Sequence, residues 1–420
     1  MKKLTSFFLS SILYKKVYDE YGDSLGKLWD IYVTTEDGYP RVIGYQIKKD
    51  GEMFNYEFRS MDFFEDNSKI VIKARDAKEI IPRSFSYLLS KHLLDKQIVD
   101  VNGKKVVRVN DLRMGEMAGE LRVIAVNTGM LSLGRRMGME KVVRGFFSLM
   151  HKEVSDTLVM WDNVESLEMV NNNLMISVPY QKLSKLHPAD LADILEEMDK
   201  DSRAKVFESL DENLAADTLE EIEPEIQKDL LESISESKAA EVFDSMPNDE
   251  IADILDEVDE ETAEKILASM ESEDAEEVRE LMEYEEETVG SIMNKDFIAF
   301  NVNISAEETI ELLREIKPED EVAHYIFIID EEEKLQGVIS LRDLIIASPQ
   351  SKLKDIMDVN VIKIKDNESI DEAIELAFKY DLISLPVVDE EDKLCGTVIL
   401  SDIIDEVFLP NWKRKVKKIG

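Results

Sequence analysis

The sequence holds one cysteine, Cys395, in 420 residues. That excludes an internal disulfide framework and suits a reducing, cytoplasmic setting. Histidine is nearly as scarce: His92, His151, His187 and His324 lie far apart and show no metal-ligand spacing. There is no G-x-S-x-G elbow, no P-loop lysine motif and no cysteine pair, so catalysis finds no anchor and we expect a non-enzyme. Long apolar runs are missing as well. "YIFII" at 325–329 is strand-sized, against the roughly 20 residues a membrane-crossing helix needs. The opening "MKKLTSFFLSSILYKK" imitates a signal peptide, but serines break its apolar run and a strand-like pattern follows at Val17, so we expect it to belong to the fold. Basic residues are in deficit, 51 Lys and Arg against 91 Asp and Glu, a net charge of −40. Such a field repels nucleic acid and attracts cations.

What is present is organised by repetition. "VYDEYGDSLGKLWDI" (17–31) returns as "IVDVNGKKVVRVNDL" (98–112). Val17 aligns with Ile98, Asp19 with Asp100, Gly22 with Gly103 and Asp30 with Asp111. The constant offset predicts a duplicated β module with a hairpin glycine at positive φ in each copy. Two small β-barrels are expected. Farther on, "DTLVMWDNVESLEMVNNNLMISVPYQKL" predicts two short strands about an Asn-rich turn.

Residues 191–286 divide into twelve-residue units, beginning LADILEEMDKDS and RAKVFESLDENL. Places one, four, five and eight mark one helix face. The ninth place carries the helix-start residues Asp199, Asp211, Ser235, Pro247 and Asp259. Twelve is no multiple of a heptad, and Pro224 and Pro247 interrupt a continuous helix, so short stacked helices forming a superhelix are predicted. Residues 187–286 hold 37 Asp and Glu against 7 Lys and Arg. Self-repulsion on that scale is a standing cost unless cations screen it. Two later segments, from 289 and from 353, each read β-α-β-β-α.

The hairpin pattern with its Asp-x-x-Gly-type turn resembles the PRC-barrel family, which implies an adaptor module contacting other proteins. The two α/β segments resemble tandem CBS domains. That likeness implies a pair that dimerises and an adenine-nucleotide cleft, ATP or AMP, whose ribose signature falls on Gly337, Ser340 and Asp343. In the second module Ile399 replaces the hydroxyl residue, so one complete site at most is implied. As residues alone, Ser340 reads equally well as an N-cap and Asp343 as its first-turn partner. "LHPADLADILEEM" (186–198), the acidic repeats, "YEEETVGSIM" (284–293) and "SLRDLIIASPQSKLKDIM" (340–357) together resemble the cytosolic half of the MgtE magnesium transporters. This implies Mg²⁺ at acidic interfaces, with Asp249 and Asp253 on the helical domain and Asp371, Asp381, Asp402 and Asp405 on the second CBS domain at matching positions. Mg²⁺ keeps much of its water and takes only one or two carboxylates per site, so weak multi-site binding is the expectation.

The expected architecture is a multidomain α+β chain. PRC-barrel-like domains cover 1–90 and, with a connector, 91–182. An all-α superhelical domain covers 183–286, CBS domains cover 287–349 and 350–408, and a basic tail covers 409–420. That family continues into a membrane pore where this sequence runs into "VFLPNWKRKVKKIG", so transport by this chain alone is not expected. The tail, with five Lys and Arg between 413 and 418, can meet an anionic membrane surface, a transporter, or the chain's own acidic helices; it reads equally as a frayed end. The functional expectation is a Mg²⁺-sensing regulator; a nucleotide-binding adaptor and a protein scaffold are the alternatives.

Overall fold

The computed structural model describes residues 1–35, 38–66, 69–81, 86–140, 143, 156–166, 180–270, 272–285, 287–318, 322–401 and 403–404. It divides into two compact units, 1–234 and 235–420.

In the first unit the duplicated hairpins do not stand apart. Strands from both copies join one 11-stranded sheet, in which Ser24–Thr34 pairs with Arg41–Lys49 and Asp111–Met117 with Glu120–Asn127. One apolar core runs from Phe7 to Val164 across both copies. Part of the second copy, Gln97–Asp100 and Lys105–Arg108, forms a separate three-stranded sheet with Val164–Ser166. The opening segment is structural: Ser6–Phe8 is a strand, and Leu9 and Ile12 of the following helical turn are fully buried.

The copies are held together by a reciprocal exchange. Asp30 accepts hydrogen bonds from Ile31 N at 2.8 Å and Ser90 N at 2.9 Å. Asp111 accepts from Leu112 N at 2.9 Å and Ser10 N at 3.1 Å, and its other oxygen accepts from the Ser10 hydroxyl. Each copy's aspartate thus caps the helical turn that precedes the other copy's hairpin. Both carboxylates are buried, and that burial raises both pKa values from the ordinary range. The backbone donors they satisfy would otherwise be orphaned.

The two hairpin turns use the aligned aspartates alike but their glycines differently. Asp19 accepts from Tyr21 N and Asp23 N, and Asp100 accepts from Gly103 N. Gly22 has φ +92°, as expected, but in the second copy the left-handed residue is Lys104, at φ +48°. Gly103 is needed for space instead, since a Cβ there would lie 2.5 Å from Asp100 Oδ2. Of the Asn-rich stretch, Leu158–Met160 and Val164–Ser166 are strands, while the Asn-rich turn lies outside the described residues.

The twelve-residue units are short helices, as their period predicts. Pro188–Glu196, Lys200–Glu208, Glu212–Glu220 and Pro224–Leu231 belong to the first unit. Glu236–Phe243, Asn248–Glu257, Glu260–Leu267 and Ser272–Met282 belong to the second. Within each unit alternate helices pack together, Pro188–Glu196 with Glu212–Glu220, Lys200–Glu208 with Pro224–Leu231, and Asn248–Glu257 with Ser272–Met282. Asp199, Asp211, Ser235 and Asp259 are N-caps whose side chains accept the N–H three residues on, while Pro247 caps by position alone. The first place of the second and fourth units is polar yet buried. Arg203 donates to Leu195 O and Met198 O, and Gln227 to Leu219 O, so each closes the C-terminus of the preceding helix.

The CBS-like segments form two three-stranded sheets with matching registers. These too exchange segments. Asn294, leading the first module, exchanges both backbone bonds with Thr397 of the second, at 2.8 and 2.9 Å. Asp358, leading the second, does so with Val338 of the first, at 2.9 and 3.0 Å.

Candidate functional site

The joint between the last repeat helix and the second CBS module organises the second unit. After the helix Ser272–Met282, Tyr284 lies over Gly290 so closely that a Cβ there would meet the ring at 2.2 Å. Gly290 N donates to Asp366 O at 2.7 Å and Val289 N to Glu368 O at 2.8 Å. Lys295, only 14% exposed, is ion-paired with Glu280 across the joint. The acidic surroundings register on their neighbours. The Tyr284 phenol is pushed up to about 12 by burial and then by Asp366. The Cys395 thiol is pushed up to about 12 by burial, Asp366 and Asp389, so it is a protonated structural cysteine. Sequence reasoning missed this joint. Its only trace was "YEEETVGSIM", where a glycine beside an aromatic marks a close approach.

The carboxylates singled out by sequence fall into separate places. Asp249 is in the first turn of the helix Asn248–Glu257, and Asp253 lies one turn on. Ile251, Ala252, Ile254 and Leu255 of that helix are buried, and Asp253 is exposed. Asp371 is in the first turn of the helix Ile370–Tyr380, whereas Asp381 is its left-handed C-cap at φ +54°. At 1.5 Å per residue those two are about 15 Å apart, too far to share one ion. Asp402 and Asp405 lie outside the described residues. Among the described residues no three Asp, Glu, His or Cys side chains converge on a metal position.

Gly337, Ser340 and Asp343 stand together at the end of the strand Leu335–Ser340 and the start of the helix Leu341–Ile346. Ser340 Oγ accepts from Asp343 N at 3.1 Å and donates to Asp343 Oδ2 at 2.7 Å, and Arg342 Nη1 lies 3.1 Å from Asp343 Oδ1. Ser340 is thus an N-cap whose hydroxyl and carboxylate partner both face solvent. Gly337 has a packing reason of its own, because a Cβ there would meet Met357 Sδ at 2.5 Å. Gly396 repeats this against Met293 at 2.8 Å. Both methionines come with the exchanged segments "SIMN" and "DIMD".

Residues 186–287 match the MgtE intracellular N domain, 289–349 and 353–409 match CBS domains, and 4–77 match the PRC-barrel domain. The chain is 36% identical over 137 residues to the magnesium transporter MgtE of Thermus thermophilus, covering 33% of this chain and 30% of that protein. It therefore matches 27–30% of the length of the curated transporters it resembles. A CBS domain-containing protein of Methanocaldococcus jannaschii is 34% identical over 28% of this chain and 91% of its own length. The solved cytosolic domain of the Mg²⁺ channel MgtE in complex with ATP superposes with a TM-score of 0.53 at 31% identity, covering 54% of this chain and 93% of that one. Among the described residues no helix is long and apolar enough to cross a membrane. From the order of its domains and the likeness over 186–409, the chain belongs to the MgtE-type family in which an MgtE N domain leads into a CBS pair, here with a PRC-barrel domain in front.

Proposed function

We propose that this protein is a Mg²⁺-responsive regulator. Mg²⁺ settles between the acidic helices and the CBS pair, screens their repulsion and favours a compact state. The observation that carries this reading is the placement of 37 acidic and 7 basic residues in 187–286. In the second unit the last of these helices is fixed to the second CBS module through Tyr284 and Gly290. The solved relative of that plan is described as part of a Mg²⁺ channel. The ligands we assign are Asp249 and Asp253 from the helices and Asp371, Asp381, Asp402 and Asp405 from the second CBS domain, in more than one site. Dimerisation through the CBS pair, protein contacts through the barrel and a membrane or transporter contact through the basic tail complete the proposal. It assigns no catalytic step, and a cytoplasmic location fits the single protonated cysteine.

Small-angle scattering from 0 to 10 mM Mg²⁺, against a monovalent salt of equal ionic strength, tests it. A radius of gyration that falls only with Mg²⁺, and falls less in the Asp249→Asn/Asp253→Asn variant, is expected. An unchanged radius refutes the switch.

A second reading, adenine-nucleotide binding at Gly337, Ser340 and Asp343, is favoured by the paired, solvent-facing hydroxyl and carboxylate and by the ATP in the solved relative. Calorimetric titration with ATP and AMP should give a binding isotherm that Ser340→Ala weakens.

A further inference from the structure

The barrel contains a cleft of about 280 Å³ lying wholly within residues 3–121. It exists because the sheet opens at a seam. The strand Glu52–Asp66 pairs with Arg41–Lys49 only as far as Tyr56, and with Lys2–Lys3 only from Phe64. Residues 57–63 border the gap, which Leu4 spans with one bond to Phe63 O. Phe7 packs on Phe63 with ring centroids 4.4 Å apart, and Tyr45 on Phe58 at 5.4 Å, so the lining carries two aromatic pairs. The rim carries Lys3, whose ammonium lies 2.9 Å from Asp62 and 3.9 Å from Glu116. Lys3 is half exposed, and two carboxylates face one cation.

Tyr45 adds a polar group to the aromatic lining of the cleft. It is 8% exposed, burial pushes its phenol pKa up, and its hydroxyl has no hydrogen-bond partner among the described residues. That hydroxyl is not sealed off inside the protein, so a group that enters the cleft can reach it. The volume is at the small end of ligand pockets, roughly 300–1,000 Å³, which excludes a nucleotide. Aromatic faces below an acidic rim suit a cation on an apolar stem.

We propose that this cleft binds a primary ammonium carried on a short aliphatic stem. The stem lies on the aromatic floor, and the ammonium donates to Asp62, Glu116 and the Tyr45 hydroxyl. Lys3 is then the resident competitor that a ligand displaces.

The test is ¹³C-methyl NMR of the full chain labelled at methionine, with the Met61 signal assigned through Met61→Leu, since Met61 lines the cleft. Butylammonium, butanol and butyrate are titrated at fixed ionic strength. Saturable shifts of Met61 are expected with butylammonium alone. Lys3→Gln should tighten that binding several-fold. Asp62→Asn/Glu116→Gln should weaken it at least tenfold, and Tyr45→Phe about threefold. The sign for Lys3→Gln is decisive even if the rim variant fails to fold. Weaker butylammonium binding in Lys3→Gln, butyrate binding that Lys3 supports, or no saturable Met61 shift in either protein overturns the proposal.

Discussion

The barrel and the helical repeats solve repetition in opposite ways. In residues 1–130 the charges nearly balance, 21 basic against 19 acidic; in 187–286 they stand at 7 against 37. The barrel's two copies trade their capping aspartates, so each copy completes the other. The helices rely more on nearby partners: several cap themselves or the C-terminus of the helix before them and stack on near neighbours, although Glu196 also accepts from Glu223 N at the start of a later helix. Exchange makes a cooperative unit, whereas near-neighbour stacking makes a graded one. The acid also has different work. In the barrel, Asp30 and Asp111 are buried acceptors with raised pKa values. In the repeats, Asp199, Asp211 and Asp259 cap helices, and much of the remaining acid meets solvent.

Cavities should expose the contrast most strongly. Phe207 is fully buried in the repeats and Leu28 in the barrel. Phe207→Ala should cost about 3–5 kcal/mol and Leu28→Ala about 2–5 kcal/mol. Hydrogen exchange should show Phe207→Ala loosening adjacent helices and Leu28→Ala loosening both barrel copies at once. Protection lost from only one copy would refute the interlock.

A smaller effect is expected at the exchanged caps. Asp111→Ala leaves Ser10 N and Leu112 N without their acceptor and should cost about 1–3 kcal/mol in denaturant titration. Asp111→Asn keeps an acceptor oxygen and removes the buried charge. The folded-state pKa of Asp111 is raised, so its stabilising contribution is complete below its unfolded pKa and is lost as pH rises through the folded one. The Asn variant should therefore gain on the wild type between acid and neutral pH. A constant difference across that range would show that Asp111 does not titrate with folding.

Single helix caps should matter less. Asp211→Ala should cost about 1 kcal/mol, and Asp211→Ser a few tenths or less, read from the helical melting transition. The smallest effect belongs to Lys104, which pairs with Asp190 at 2.5 Å across a half-exposed surface. Lys104→Gln should change stability by less than about 1 kcal/mol, and less again in high salt.

How much of this was legible depended on the range of the interactions. The twelve-residue period, the ninth-place caps and the β-α-β-β-α order are local signals, and the helices start where those residues said. The offset of 81 showed a duplication, but not that both copies share one sheet. Nor did it show that Lys104, not Gly103, takes the left-handed position. For the candidate ligands, sequence grouped Asp371 with Asp381, and the helix between them sets them at its opposite ends.

By itself the sequence determined the element types, the repeat boundaries, the charge segregation and the family, because propensity, capping and periodicity act over a few residues. Tertiary structure alone decided which copy completes which, why Gly290, Gly337 and Gly396 must lack a side chain, and where the sheet opens beside Tyr45. Those outcomes depend on backbone pairing and steric contact between residues distant in the chain, which no local pattern encodes.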